Sequence, residues 1–214
     1  YWVKDRIDNM EKIIFEGVSL GKRLGKKLQI RSEKKELKYN RLKTGKIDKR
    51  LIASLGYGYE SVFHKVETSE YDPGIIHISI DNSGSMSGNN LEQAIKTATA
   101  IAKACSMINN MDCVISFRAG TWDSASKIIM LIGYDSRKDK FAKIPRLFKY
   151  IAANGNTPEG LCFDAISDEI ISSAKGKDAY FLNFSDGQPY LQSSSPRCYY
   201  SGRLARRHTK EQIK

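Results

Sequence analysis

The sequence predicts an α/β fold: a mostly parallel central sheet with helices on both faces, starting near residue 72, behind a basic and mainly helical segment over residues 1–71. Three observations predict it. First, residues 75–80, 113–117 and 179–184 are β-branched or aromatic runs of strand length. Second, stretches with apolar residues three and four apart separate these runs, so strand and helix signals alternate as βαβ units require. Third, the charge sits at the ends. Of a net +11, residues 1–70 carry +7, residues 71–200 carry none, and residues 201–214 carry +4.

The chain has 214 residues and is 41% hydrophobic and 10% aromatic. That is enough apolar matter for a sizeable core and too much for a disordered chain. It has no run of eighteen apolar residues, so no membrane-spanning helix is expected. It lacks an initiator Met and a secretory pattern and reads as a fragment, with the second domain cut short at its C-terminus. Cys105, Cys113, Cys162 and Cys198 form no C-x-x-C pair. They read as reduced thiols of a cytoplasmic protein, not as a zinc site or a disulfide framework.

Taken in order, Ile7, Met10, Ile13, Ile14 and Val18 predict a helix over residues 3–30, with a break expected at Gly21 or Gly25. Residues 31–46 are polar and basic. Asp48 and Gly56 bracket a short helix at 47–54. Residues 62–66 alternate like a strand, and a Tyr71-Asp72-Pro73-Gly74 turn closes the first segment. A buried strand at 75–80 then stops at the polar loop Asp81-Asn82-Ser83-Gly84-Ser85. A helix follows at 91–108 with Leu91, Ala94, Ile95, Ala98, Ile101, Ala102 and Cys105 facing inward. Further strands are expected at 113–117, 127–133 and 179–184, and helices at 141–152 and 158–174. Thr157-Pro158 suits the start of the last of these. Ser193-Ser194-Ser195 reads as a surface loop.

In a doubly wound sheet, ligands gather beyond the carboxyl ends of the strands. Asp81, Ser83 and Ser85 follow the first strand of the second domain, Thr157 precedes a helix, and Asp186 follows the last strand. Two carboxylates and three hydroxyls make an all-oxygen set that suits a hard cation. Mg²⁺ keeps several waters, so some of the five act through water. Two Asp charges leave the ion electrophilic toward an outside carboxylate.

Asp81-Asn82-Ser83-Gly84-Ser85-Met86, Asn156-Thr157-Pro158-Glu159-Gly160 and Phe184-Ser185-Asp186-Gly187 resemble the metal-ion-dependent adhesion site of a von Willebrand factor A (VWA) domain. The wording is similar to that of CobT-like proteins, the cobaltochelatase subunit and its relatives. The stretch Gly45-Lys46-Ile47-Asp48-Lys49-Arg50-Leu51 and the tail Ser201 to Lys210 resemble the flanks of that family. The resemblance implies a Rossmann-like VWA domain over residues 72–214 whose metal residues are Asp81, Ser83, Ser85, Thr157 and Asp186. The ion is Mg²⁺, with Mn²⁺ as the alternative, and a client protein supplies an Asp or Glu to it. Ser83, Ser85 and Thr157 are the direct ligands in this scheme, with one or both Asp acting through water. The resemblance further implies a non-catalytic adaptor that works with a MoxR- or CobS-type AAA+ ATPase in chelatase-type remodelling. The chain departs from the cobaltochelatase subunit in having no long acidic region, so an adaptor serving another substrate stands beside cobalt chelation.

Other chemistries fit less well. Gly84-Ser85-Met86-Ser87-Gly88 puts Met86 where a nucleophile elbow needs Ser, and no Walker string occurs. His77 reads as a core or interface histidine. Asp81→Ala is expected to spare the fold, on the view that its loop is exposed. The rival signal is the cluster Lys22, Arg23, Lys26, Lys27, Arg31, Lys34, Lys35 and Lys38 with Tyr39, Tyr57 and Tyr59 nearby. These could hold phosphates and stack bases, with the VWA fold as a scaffold for nucleic-acid association. Otherwise they form a solvated face or a dock for an acidic partner.

Overall fold

The computed structural model describes residues 2–32, 35–69, 73–121, 127–191 and 200–212. The chain divides into two compact units, residues 1–29 with 72–214, and residues 30–71. Tyr71 and Asp72 of the expected turn, the Ser193–Ser195 patch and Cys198 lie outside the described residues.

The larger unit is built on a four-stranded sheet of order β6-β5-β4-β7. Its strands are β4 (Gly74–Asp81), β5 (Met111–Gly120), β6 (Ile128–Asp135) and β7 (Asp178–Phe184). β4 runs parallel to β5 and to β7, while β6 turns back antiparallel on β5. Helix α3 (Asn89–Cys105) makes the crossover from β4 to β5, and α5 (Glu159–Ser173) precedes β7. β4 is buried along nearly its whole length, as a central strand covered on both faces must be.

Side-chain alternation gives the two faces of β4 and β5 different characters. Ile78, Ile80, Cys113, Ile115 and Phe117 join Met10 and Ile14 of α1 (Trp2–Ser32), Leu91, Ile95 and Ala98 of α3, and Tyr134, Ile144 and Phe148 in one apolar core. His77, Ser79, Asp81, Ser116 and Arg118 point the other way and are also buried. That second face is polar and lies under α5, whose Cys162, Phe163 and Ile166 are buried. His77 is the expected core histidine: its Nε2 lies 2.9 Å from Ser116 Oγ.

α1 does not break at Gly21 or Gly25. Together with Gly17, these glycines form a flat stripe against the end of α3. A Cβ would lie 2.7 Å from the Lys96 carbonyl oxygen at Gly17, 2.5 Å from that of Ala100 at Gly21, and 2.7 Å from Met107 Sδ at Gly25. Each glycine costs an isolated helix about 1 kcal/mol. Here the close approach of two helices offsets that cost.

Other elements shift from expectation. The helix expected at 141–152 is only α4 (Lys143–Leu147) and a 3₁₀ turn, Phe148–Tyr150. Thr157 does not cap α5: the N-cap residue is Pro158, and Thr157 instead bridges Tyr190 through its backbone. The chain's last described element is α6 (Gly202–Gln212), which packs on α5.

The smaller unit holds a three-stranded antiparallel sheet of order β1-β3-β2. Its strands are β1 (Lys35–Leu42), β2 (Lys46–Ile47) and β3 (Phe63–Ser69). β3 is the strand read at 62–66. β1 falls in the segment read only as polar and basic. The helix expected at 47–54 shrinks to α2 (Ile52–Leu55) because Asp48 Oδ1 accepts the Arg50 N–H at 3.1 Å in a local turn. No helix among the described residues is long and apolar enough to cross a membrane.

Candidate functional site

Asp81 is the last residue of β4 and is fully buried. The Ser83 N–H donates to its Oδ1 at 2.9 Å, and Ser185 Oγ donates to its Oδ2 at 3.2 Å. This carboxylate therefore joins the loop after β4 to the loop after β7. Ser83 is buried, Ser85 is exposed, and their hydroxyls lie 3.0 Å apart. Asp81 is thus not on an exposed loop, and the expectation that Asp81→Ala spares the fold does not stand.

Backbone pairing fixes the loop before α5 against the same edge. Asn82 N donates to the Arg118 carbonyl at 2.8 Å, Asn154 N to the Asn82 carbonyl at 2.7 Å, and Gly84 N to the Gly155 carbonyl at 3.0 Å. Gly155 has φ +92°, and a Cβ there would sit 2.1 Å from the Gly120 carbonyl oxygen, so only glycine fits. Thr157 follows, buried at the cleft wall.

Ser83, Ser85, Thr157 and Asp186 line one cavity of about 510 Å³, with Asn156, Gln188, Tyr190, Gly202 and Arg206. Asp81 lies directly behind it through Ser83. The five expected residues are therefore brought together, four on the cavity surface and one beneath it. No cluster of three or more His, Cys, Asp or Glu side chains forms among the described residues. The cleft instead offers hydroxyls, the Asp186 carboxylate with that of Asp81 behind it, and one buried amide oxygen, Asn156 Oδ1, which has no hydrogen-bond partner among the described residues. An unpaired buried oxygen is costly unless something polar meets it. That donor chemistry fits a hard cation.

Burial raises the Asp81 carboxyl above its usual range. Arg118 and the hydrogen bonds from Ser83 oppose the rise, and the charge of Asp186 adds to it. Arg118 is the residue the sequence reading missed. It pairs in register with Asp81 and is completely buried. Its Nη1 donates to Ser79 Oγ at 2.8 Å and its Nη2 to Glu159 Oε1 at 2.9 Å, while Phe163 lies under the guanidinium at 5.3 Å. Glu159 Oε1 also accepts from Asn183 Nδ2 at 2.8 Å. One buried cation thus ties β4, the start of α5 and β7 together, the three elements that deliver the cleft. The signal in the sequence is a lone Arg following Phe117 in an apolar strand, two residues after Ser116 and hence on its face.

Residues 62–162 match a family model described as the VWA domain of the cobalamin biosynthesis protein CobT. The match includes Asp81, Ser83, Ser85 and Thr157 and ends before Asp186. No curated protein matches the chain. Among solved structures, the chain is similar to the three N-terminal domains of the type V pili tip protein Mfa5 from Porphyromonas gingivalis. That likeness has 16% identity and a TM-score of 0.44 over 59% of this chain and 23% of that one. It is also similar to the pilus adhesin SpaC from Lactobacillus rhamnosus GG, at 15% identity and a TM-score of 0.43 over 57% of this chain and 16% of that one. The chain spans less than a quarter of either. With the α/β sheet and the family match in place, residues 62–162 resemble the VWA domain of CobT, and the mostly parallel sheet is consistent with a VWA fold.

Proposed function

We propose that the chain is a Mg²⁺-dependent protein-binding adaptor. Asp81, Ser83, Ser85, Thr157 and Asp186 hold the ion, and a client protein completes its coordination with an Asp or Glu. The observation that carries this reading is the convergence of three separate loops on one cleft, with four of the five side chains on its surface. Mg²⁺ supplies a positive centre for the incoming carboxylate, and Mn²⁺ serves in its place. Arg118 lies beside Asp81 on the neighbouring strand, and the Ser83 and Ser85 hydroxyls are held 3.0 Å apart. The work proposed is binding. The partner is an AAA+ ATPase of the MoxR or CobS type, which remodels the client in a cobalamin-related or other chelatase-type complex.

Calorimetric titration of Mg²⁺ into the full chain tests this. Heat that saturates at one ion per chain, and that disappears in Asp186→Ala, supports the reading. Asp186 is exposed, so its removal leaves the fold intact. Equal heats for both proteins defeat it.

A second reading rests on the smaller unit. Tyr57 and Tyr59 are 82% and 69% exposed and Tyr39 44% exposed, on a unit whose Lys38, Arg41, Lys46, Lys49 and Arg50 are exposed as well. Exposed aromatic rings among cations can stack and neutralise single-stranded nucleic acid. Fluorescence anisotropy of a labelled oligonucleotide, compared between wild type and Tyr57→Ala/Tyr59→Ala, tests it. Binding lost in the double variant supports this reading, and unchanged binding rejects it.

A further inference from the structure

Arg206 belongs to two cavities. It lines the candidate metal cleft with Ser83, Ser85, Thr157 and Asp186. It also lines a second cavity of about 390 Å³ with Arg203, Arg207 and Lys210. Residues 203, 206, 207 and 210 are spaced i, i+3, i+4 and i+7, which places them on one face of α6. All four are exposed, while Ala205 and Thr209 on the opposite face are buried.

We infer that the cleft and this basic face form one docking track for an acidic peptide. One carboxylate seats at the metal, and the acidic residues beside it lie along Arg206, Arg203, Arg207 and Lys210. The inference rests on the metal reading above and extends it from a single acidic residue to an acidic run.

Rigidity supports it. A Cβ at Gly160 of α5 would meet Tyr200 Oη at 2.5 Å, His208 Nδ1 at 2.7 Å and Thr209 Cα at 3.0 Å. The helices therefore touch at backbone distance. Tyr200 Oη donates to the Ala205 carbonyl at 3.3 Å, closing the seat. Gly160 lies three residues after Thr157, so the first turn of α5, just after the loop that carries Thr157, also holds α6.

Charge supports it as well. Arg207 is matched by Glu211, its Nε donating to Oε1 at 2.8 Å. Among the described residues, Arg203, Arg206 and Lys210 have no acidic partner. Like charges three and four residues apart weaken a helix, so the face gains nothing by itself and is relieved by a negative ligand. A polyphosphate backbone fits less well, because exposed Asp186 and Glu211 interrupt the track. A peptide can place neutral residues opposite them.

The test uses the full chain and two synthetic peptides of equal length. One carries a single Glu and the other a run of four acidic residues. Each is titrated by calorimetry in saturating Mg²⁺ and in EDTA, into wild type, Arg206→Gln and Arg203→Gln/Arg207→Gln/Lys210→Gln. The track predicts that the acidic-run peptide binds wild type more tightly, and that Arg206→Gln costs about tenfold, the worth of one charge-assisted hydrogen bond. Mg²⁺ binding stays unchanged in Arg203→Gln/Arg207→Gln/Lys210→Gln, whose three positions lie outside the metal cleft. Equal affinity for the two peptides, or an acidic run indifferent to both variants while Mg²⁺ still binds, overturns the track and leaves the metal reading standing. Arg206-dependent binding that persists in EDTA keeps the track and counts against the metal reading. A single-stranded oligonucleotide that displaces the peptide at lower concentration overturns the peptide as ligand.

Discussion

Asp81 and Arg118 face each other across two central strands, and most of the site's chemistry follows from that pair. Removing one partner of a buried ion pair strands the other, at about 3–5 kcal/mol. Arg118→Met leaves Glu159 buried without its cation and is expected to lower urea-unfolding stability by an amount in that range. Asp81→Ala is expected to lose Mg²⁺ binding and also about 1–3 kcal/mol of stability, because it takes acceptors from Ser83 and Ser185 and a counter-charge from Arg118. His77 sets a pH dependence. Burial, with Arg137 adding and Asp135 opposing, lowers it from 6.5 to about 4. The unfolded chain therefore binds the proton more readily. Its contribution is fully present above pH 6.5 and is lost as pH falls toward 4. Chemical-denaturation midpoints should fall over that window, and His77→Gln should flatten the fall. At this scale the five candidate residues were legible as polar side chains directly after a strand or before a helix, and four of them line one cleft. Arg118 was not. One charge in an apolar strand shows its meaning only when the neighbouring strand and Glu159 are beside it.

Among the elements, β4, α3, β5 and β7 were legible because their patterns are strong: near-continuous apolar strands and an alanine-rich helix with one apolar face. α1 was legible in extent but not in its glycines, since glycine within a helix signals either a break or a close approach. The spacing of Gly17, Gly21 and Gly25 by four residues is the feature that separates the two. Gly21→Ala tests it, because a Cβ there would lie 2.5 Å from the Ala100 carbonyl oxygen and 2.6 Å from Lys103 Cβ. On an isolated helix this change stabilises by about 1 kcal/mol. Here overpacking should reverse the sign and cost about 1–3 kcal/mol, read as a lower thermal midpoint. The small sheet was mostly hidden. β1 reads Lys-Glu-Leu-Lys-Tyr-Asn-Arg-Leu, and its Leu37 and Tyr39 remain 54% and 44% exposed. A strand with so little buried carries a faint periodic signal.

For the whole molecule, the uneven charge is the feature that composition showed first and structure made specific. The neutral centre is the sheet domain, with its buried pairs and a cleft of mixed sign. The basic tail is one face of α6, whose Arg206 lines the same cleft. The family match over residues 62–162 covers the sheet's first strands and two of the three loops, and the third loop and α6 complete the cleft beyond it. The adaptor reading depends on that cleft holding a hard cation. Electron paramagnetic resonance of Mn²⁺ titrated into the full chain tests this most directly, with Asp186→Ala and Thr157→Val alongside and Mg²⁺ as competitor. The account predicts one immobilised Mn²⁺ per chain, released by excess Mg²⁺ and lost from both variants. A free-ion signal throughout, or the same bound signal in wild type and both variants, would contradict it.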